Sequence, residues 1–466
     1  MNKKIYDFCF ETLPFILLNV LFFDLALTGD GRFLMIGSLS FRIILLIIII
    51  ICSIPKIVIN LKKIITNKFI IILMIFSGLL VFSTIIGIKQ GNDINILKTD
   101  IKGFVYFILF PIFLVNIDSK DKLTRILKTI LMSTIVQSLF ILVTYLIYYI
   151  SPNAYFAIYE FTSYMNGFNF YAPSIISTTL IRQFTFSSIY LILGLFLSIY
   201  FYFFGNEKNY KCLYPISFAL IIYAIFVTYT RSLYIGALAS IGIFLIVFFK
   251  YLSNNYKKTL YFSSTVILSS LIIFTSLSLI GSIDHFMYGI IRTFPSLSSV
   301  ISVEDKFPIG HPNGNKSGDK NTNDSGSVIQ DVKDDGSNQL DEDSISDDLR
   351  SKTVQIMIDS IKESPIIGHG LGKAVPNRVD GRTEYFFLDI LNKMGIIGLL
   401  SYCYPIFYAL YFSIRMRIYR YTSMIVFNGL LGFMITSWFN PYMGAALGIS
   451  CYCLFMACFS LEYSEE

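Results

Sequence analysis

The sequence predicts an all-α polytopic membrane protein of about twelve transmembrane helices, with one large extracytoplasmic loop between the ninth and tenth spans. Three observations carry that prediction. First, 55% of the 466 residues are hydrophobic and only 15% are charged, with a mean hydropathy of +0.64. A soluble fold could not bury so much apolar surface. Second, apolar runs recur at roughly the 20-residue length that a helix needs to cross a hydrocarbon core about 30 Å thick. Third, the runs are continuous, as in IILLIIIIIC at 43–52, whereas the strands of a transmembrane barrel would alternate.

The first run, 12–28, follows Lys3 and Lys4 with no small-residue cleavage site behind it, which reads as a retained helix rather than a removed signal peptide. Runs at 35–59, 69–88, 101–117, 127–150, 183–204, 212–229, 232–252 and 259–280 complete the first nine spans. Those at 386–412, 421–438 and 442–461 are the last three. The chain therefore divides into a helical part, 1–280, a loop, 281–384, and a second helical part, 385–466.

Short-loop Lys and Arg set the orientation. With the N-terminus cytoplasmic, the inner segments collect eighteen, including Lys56, Lys62, Lys63, Lys68 and Lys120, Lys122, Arg125, Lys128. The short outer segments hold six: Arg32, Lys89, Lys98, Lys102, Arg182 and Arg231. That asymmetry predicts cytoplasmic termini and a loop of 104 residues on the outer side. Within it, 303–348 carries twelve acidic residues against four Lys among Asn, Gly and Ser, a composition predicting disorder. From 349 the loop is expected to be an ordered lid. Asp347 or Asp348 would cap a helix to about Glu363, with Leu349, Thr353, Ile356, Met357 and Ile361 along one face. SPIIGHGLG then breaks it.

Several chemistries are not indicated. There is no phosphate-cradling Walker sequence, no GxSxG, no HExxH and no clustered His/Cys ligands, so neither a cofactor nor a metal is expected. The seven cysteines lie in or beside the spans and suggest no disulfide framework. The net charge of +6 is ordinary for a protein with basic inner loops and does not suggest nucleic acid.

The candidates are therefore few. Arg231, in TYTRSLYIG, sits at an outer seam between two uncharged runs, and Arg182 lies at the same depth by the same topology. Either could reach up to lipid head groups; a guanidinium in a partly dry site also donates paired hydrogen bonds to phosphate. Glu384, in RTEYFFLD, is a candidate general base, or an interfacial carboxylate paired with Arg378 or Arg382. His369, in the glycine-rich turn, is the second base candidate or a structural residue. Arg378, Arg382 and Tyr385 are expected as secondary substrate contacts. Asp389 and Lys393 are spaced for a structural ion pair on one helix.

This arrangement resembles the O-antigen polymerase and ligase superfamily of bacterial inner-membrane glycan enzymes. The resemblance rests on about twelve spans, two outer arginines, and a late outer loop. It also rests on RSKTVQIMIDSIKESPIIGHGLG followed by EYFFLDILNKMGIIGLL, similar to the family's helix, proline-glycine turn and return to the membrane. It implies metal-independent glycosyl transfer on the outer leaflet from undecaprenyl-diphosphate-linked oligosaccharide, with Arg182 and Arg231 holding the diphosphate. Glu384 falls where ligases usually carry a His, which ranks O-antigen polymerase first and ligase second. It implies the bacterial inner membrane with a periplasmic loop, membrane lipids around the chain, and a chain-length regulator and flippase as companions. From another class, a lipid-linked oligosaccharide flippase would be expected to show two related halves and midplane charges; no internal repeat is visible.

Overall fold

In a bilayer core nothing but the chain itself can satisfy peptide N–H and C=O groups, so each apolar run has to become a helix. The computed structural model describes residues 8–28, 35–36, 39–164, 172–177, 180–205, 211–279, 338–376, 383–415 and 421–463. Its helices are α1 Leu13–Leu27, α2 Phe41–Ile59, α3 Leu61–Ile65, α4 Lys68–Lys89, α5 Ile94–Phe104, α6 Leu109–Asn116, α7 Lys120–Ile150 and α8 Pro152–Tyr164. Next come α9 Ile189–Phe204, α10 Leu213–Val227, α11 Arg231–Asn254, α12 Tyr256–Leu279, α13 Asn338–Glu363, α14 Phe386–Arg415, α15 Tyr421–Thr436 and α16 Ala446–Tyr463. Two short antiparallel hairpins interrupt them, β1 Met35–Ile36 with β2 Leu39–Ser40, and β3 Ala172–Ser177 with β4 Leu180–Phe184.

Every run predicted to span contains a helix. Nine stretches among the described residues are long and apolar enough to cross a membrane, and α10, α15 and Ala446–Glu462 are shorter apolar helices. The chain is thus a largely helical polytopic membrane protein, and twelve crossings require those three to span as well. Three expectations are corrected. The helix of the second run begins at Phe41, because 35–36 and 39–40 are the strands β1 and β2. The sixth run begins at the short helical turn Phe186–Ser188, because 180–184 is the strand β4. The loop helix α13 begins at Asn338 within the stretch read as disordered, so Asp347 and Asp348 lie inside it rather than capping it. Its expected apolar face holds in part: Thr353 and Met357 are buried, Leu349 is exposed. Residues 280–337 lie outside the described residues.

At the centre stands α9, with 89% of its span buried, packed against α7, α10 and α15. Small residues allow these approaches, as is usual between membrane helices: a Cβ on Gly194 would lie 2.5 Å from Thr134 Oγ1, and one on Gly429 2.5 Å from Leu193 Cδ1. At the periphery α12 is only 6% buried.

The feature that shapes the functional end is a break in α14 at Gly395, where φ is +63° and ψ −168°. A broken helix exposes backbone groups that must be re-satisfied by protein. The segment SPIIGHGLG does this. Ile396 N–H donates to Pro365 O (2.9 Å) and Ile397 N–H to Ile366 O (3.3 Å), while His369 and Gly370 N–H donate to Asn392 and Lys393 O (both 2.9 Å). Leu371 N–H reaches Ser83 O of α4 at 3.0 Å, and Asn92 Nδ2 donates to the His369 and Leu371 carbonyls, both at 3.0 Å. Gly370, at φ +82°, lies so close to α4 that a Cβ there would be 2.2 Å from Gly87 N. Side-chain-free, left-handed backbone is required at this crossing.

Candidate functional site

Beneath the docked segment lies a cavity of about 660 Å³, within the size range of small-molecule sites. Its wall is built by the start of α2, by α5, by Thr383–Met394 and by Asn440–Leu447. Phe104, Tyr106, Phe186, Phe386 and Tyr442 give it aromatic faces, and Arg42, Asp100, Lys102, Glu384, Asp389 and Lys393 give it charge. Charged residues make up only 15% of the chain, and six of them line this one cavity.

Glu384, the first base candidate, lines this cavity just ahead of α14. Its Oε2 accepts from Arg350 Nε of α13 at 3.2 Å, with the two side chains 36% and 46% exposed. Arg350 is thus a partner of Glu384, while Arg378 and Arg382, the expected partners, lie outside the described residues. Tyr385 is half-buried, its N–H donating to Thr383 Oγ1 at 3.0 Å.

His369 is not brought to the cavity wall. It is buried in the docked segment, with Nε2 2.8 Å from the Ser360 carbonyl. A carbonyl only accepts, so that nitrogen carries the proton, and the ring ties the end of α13 to the break in α14.

Arg231 opens α11 and is half-buried. The turn before it is held hard. Tyr229 takes φ +46°, the sole non-glycine with positive φ among the described residues, a left-handed conformation uncommon for a bulky side chain. The Tyr229 and Tyr145 hydroxyls lie 3.3 Å apart, Thr228 Oγ1 donates to Ile225 O at 2.7 Å, and the Tyr234 hydroxyl donates to Phe226 O. Arg231 does not line the cavity, but its neighbour does the next best thing: Asn440, on the cavity wall, donates to Ser232 Oγ at 2.6 Å. A cation at the N-terminal end of a helix is suited to an anion, since the exposed N–H groups and dipole act in the same sense. Arg182 lies in β4, paired in register with Ser174; its side chain lies outside the described residues.

Two groups at the cavity went unread in the sequence. Arg42 of α2 is buried and paired with Asp24 of α1, Nε to Oδ2 at 2.6 Å, with Thr28 Oγ1 3.2 Å from Nη2. The signal was present, since a lone Asp in LFFDLAL and a lone Arg in FRIILL are opposite charges in consecutive apolar runs. Asp100, at the edge of the fourth run, binds Lys393 across 293 positions of sequence (2.8 Å), so the expected Asp389–Lys393 pair is one half of a three-residue cluster.

Residues 216–403 match the family model described as O-antigen ligase. The match runs from within α10 to within α14 and takes in Arg231, His369, Glu384, Asp389 and Lys393. No curated protein and no solved structure matches the chain.

Proposed function

We propose, from the premise that residues 216–403 are an O-antigen ligase family region, that this chain is a membrane glycosyltransferase acting as an O-antigen polymerase. It moves a growing glycan from undecaprenyl diphosphate to a hydroxyl of a lipid-linked repeat unit at the outer face of the bacterial inner membrane. The observation that carries the reading is the cavity: a mixed aromatic and charged chamber, lined by Glu384, next to the helix end that bears Arg231.

In the transfer, the bond between the sugar's anomeric carbon and the diphosphate oxygen breaks, and undecaprenyl diphosphate leaves with the electron pair. The acceptor hydroxyl oxygen forms the new glycosidic bond, and its proton passes to the Glu384 carboxylate. A positioned base of this kind contributes about 10²–10⁴-fold. Arg231, with Arg182 as its companion, neutralises the charge growing on the diphosphate, an effect worth about 3–4 kcal/mol per well-placed donor elsewhere. His369, whose ring already serves Ser360 O, holds the docked segment that fixes α14 beneath Glu384. Cytoplasmic termini, a periplasmic loop and work beside a flippase and a chain-length regulator complete the proposal.

The test is the surface lipopolysaccharide of cells lacking the gene, restored with wild type or Arg231→Ala. Core bearing a single repeat unit, with a ladder returned by wild type alone, is the expected result. Bare core with long polymer retained on the carrier would make the enzyme a ligase, and bare core with unpolymerised repeat at the inner leaflet would make it a flippase.

A further inference from the structure

Three charged groups meet on the cavity wall, Asp100 from α5 and Asp389 and Lys393 from α14. Lys393 Nζ donates to Asp100 Oδ1 and to Asp389 Oδ2, both at 2.8 Å, and the lysine side chain is only 4% exposed. The two carboxylates differ in what remains to them. Asp100 uses its second oxygen to accept from Gly372 N–H at 2.9 Å. Asp389 is held by Lys393 alone: its enclosed Oδ1 has no hydrogen-bond partner among the described residues, and its side chain, 22% exposed, lines the cavity.

One cation between two anions leaves one negative charge in excess. A carboxylate has about four acceptor positions, and buried acceptors are normally filled. Because Oδ1 is enclosed, a donor from the cavity would reach Asp389 at Oδ2, where Lys393 fills one acceptor position and leaves another. The cluster's negative charge opposes a phosphate, since like charges brought together cost several kcal/mol. A polyhydroxylated ring fits instead, hydroxyls toward the carboxylate and the less polar ring face against Phe386 or Tyr442, which line the same cavity.

We propose that Asp389, held by Lys393 and Asp100, binds a hydroxyl of the incoming saccharide and makes this wall the acceptor-sugar subsite. The inference rests on the glycosyl-transfer reading above. It also gives the docked segment a second task, because Gly372 fixes Asp100, which fixes Lys393, which aims Asp389.

The experiment uses the full-length protein in lipid nanodiscs with undecaprenyl-diphosphate-linked oligosaccharide isolated from cells lacking the gene. Elongation rates are measured against its concentration, with sugar-free undecaprenyl diphosphate as competing inhibitor. Asp389→Asn is expected to raise KM about tenfold or more, the worth of a hydrogen bond to a charged group, while inhibition by the sugar-free carrier stays within about twofold. Asp100→Asn changes the cluster by the same charge but keeps the Asp389 carboxylate while loosening Lys393, so its KM should rise less than that of Asp389→Asn. Asp389→Glu should restore part of the loss. Equal effects of the two Asn variants, or an unchanged KM in Asp389→Asn, would overturn the subsite. If Asp389→Asn fails to accumulate, Asp389→Ser is read in the same way. A wild-type protein that elongates nothing removes the glycosyl-transfer reading, and the subsite falls with it; active wild type with an indifferent Asp389 removes the subsite alone.

Discussion

Replacing Gly395 by Ala should undo the docking that shapes the cavity. At φ +63° and ψ −168° the residue occupies a region essentially confined to glycine, where a side chain costs about 1–3 kcal/mol. The added Cβ would also lie 2.2 Å from Ile366 O and 2.3 Å from Ile366 C, backbone atoms that cannot rotate away. Relief requires the segment to lift, which breaks the bonds from Ile396 N–H to Pro365 O and from Ile397 N–H to Ile366 O. Two backbone hydrogen bonds at about 0.5–1.5 kcal/mol each bring the total to about 2–6 kcal/mol. Gly78 is the internal control: it lies within α4 and a Cβ there meets nothing within 4 Å, so Ala should be neutral or stabilising by up to about 1 kcal/mol. Thermal midpoints of detergent-solubilised protein, read beside the glycan ladder in cells, separate the two. A Gly395→Ala protein that melts with wild type and makes a normal ladder would refute the reasoning, because the break would then not need its conformation.

Glu384→Gln should lower elongation by about 10²–10⁴-fold at normal membrane levels, whereas Arg350→Ala, which removes an exposed ion pair, should change thermal stability by no more than about 1 kcal/mol. Arg231→Lys is expected to recover only part of what Arg231→Ala loses in the ladder assay, since an ammonium cannot make the paired contacts of a guanidinium. His369→Ala should cost about 1–3 kcal/mol of stability by orphaning Ser360 O, yet leave more turnover per folded molecule than Glu384→Gln; the opposite order would restore His369 as the base. Lys393→Met leaves two carboxylates facing each other and should destabilise by about 3–5 kcal/mol, seen as lost membrane accumulation.

Particular residues show what could be read in advance. Arg231 at a helix start and Glu384 ahead of a membrane helix were legible because charge in an apolar chain needs a reason, and that reasoning uses only near neighbours. Gly368, Gly370 and Gly372 were legible as a break, and all three do adopt positive φ. What they break against was not legible, since Gly87 and the Gly395 kink are reached only through space. The same holds for Glu384, whose partner Arg350 is 34 positions away, and for Asp347 and Asp348, which were read as caps yet lie within a helix.

The sequence by itself determined that this is a helical membrane protein and roughly where its apolar helices fall. These follow from the solvent: hydrocarbon forces apolar runs of sufficient length to close their own hydrogen bonds, and that demand is local. Only the tertiary structure decided that Asp100, Lys393 and Asp389 form one cluster, that Arg42 and Asp24 neutralise each other, and that Glu384 faces a cavity while His369 does not. Those outcomes depend on distances between groups tens to hundreds of residues apart, which are fixed by helix packing and by a glycine-rich segment filling a broken helix.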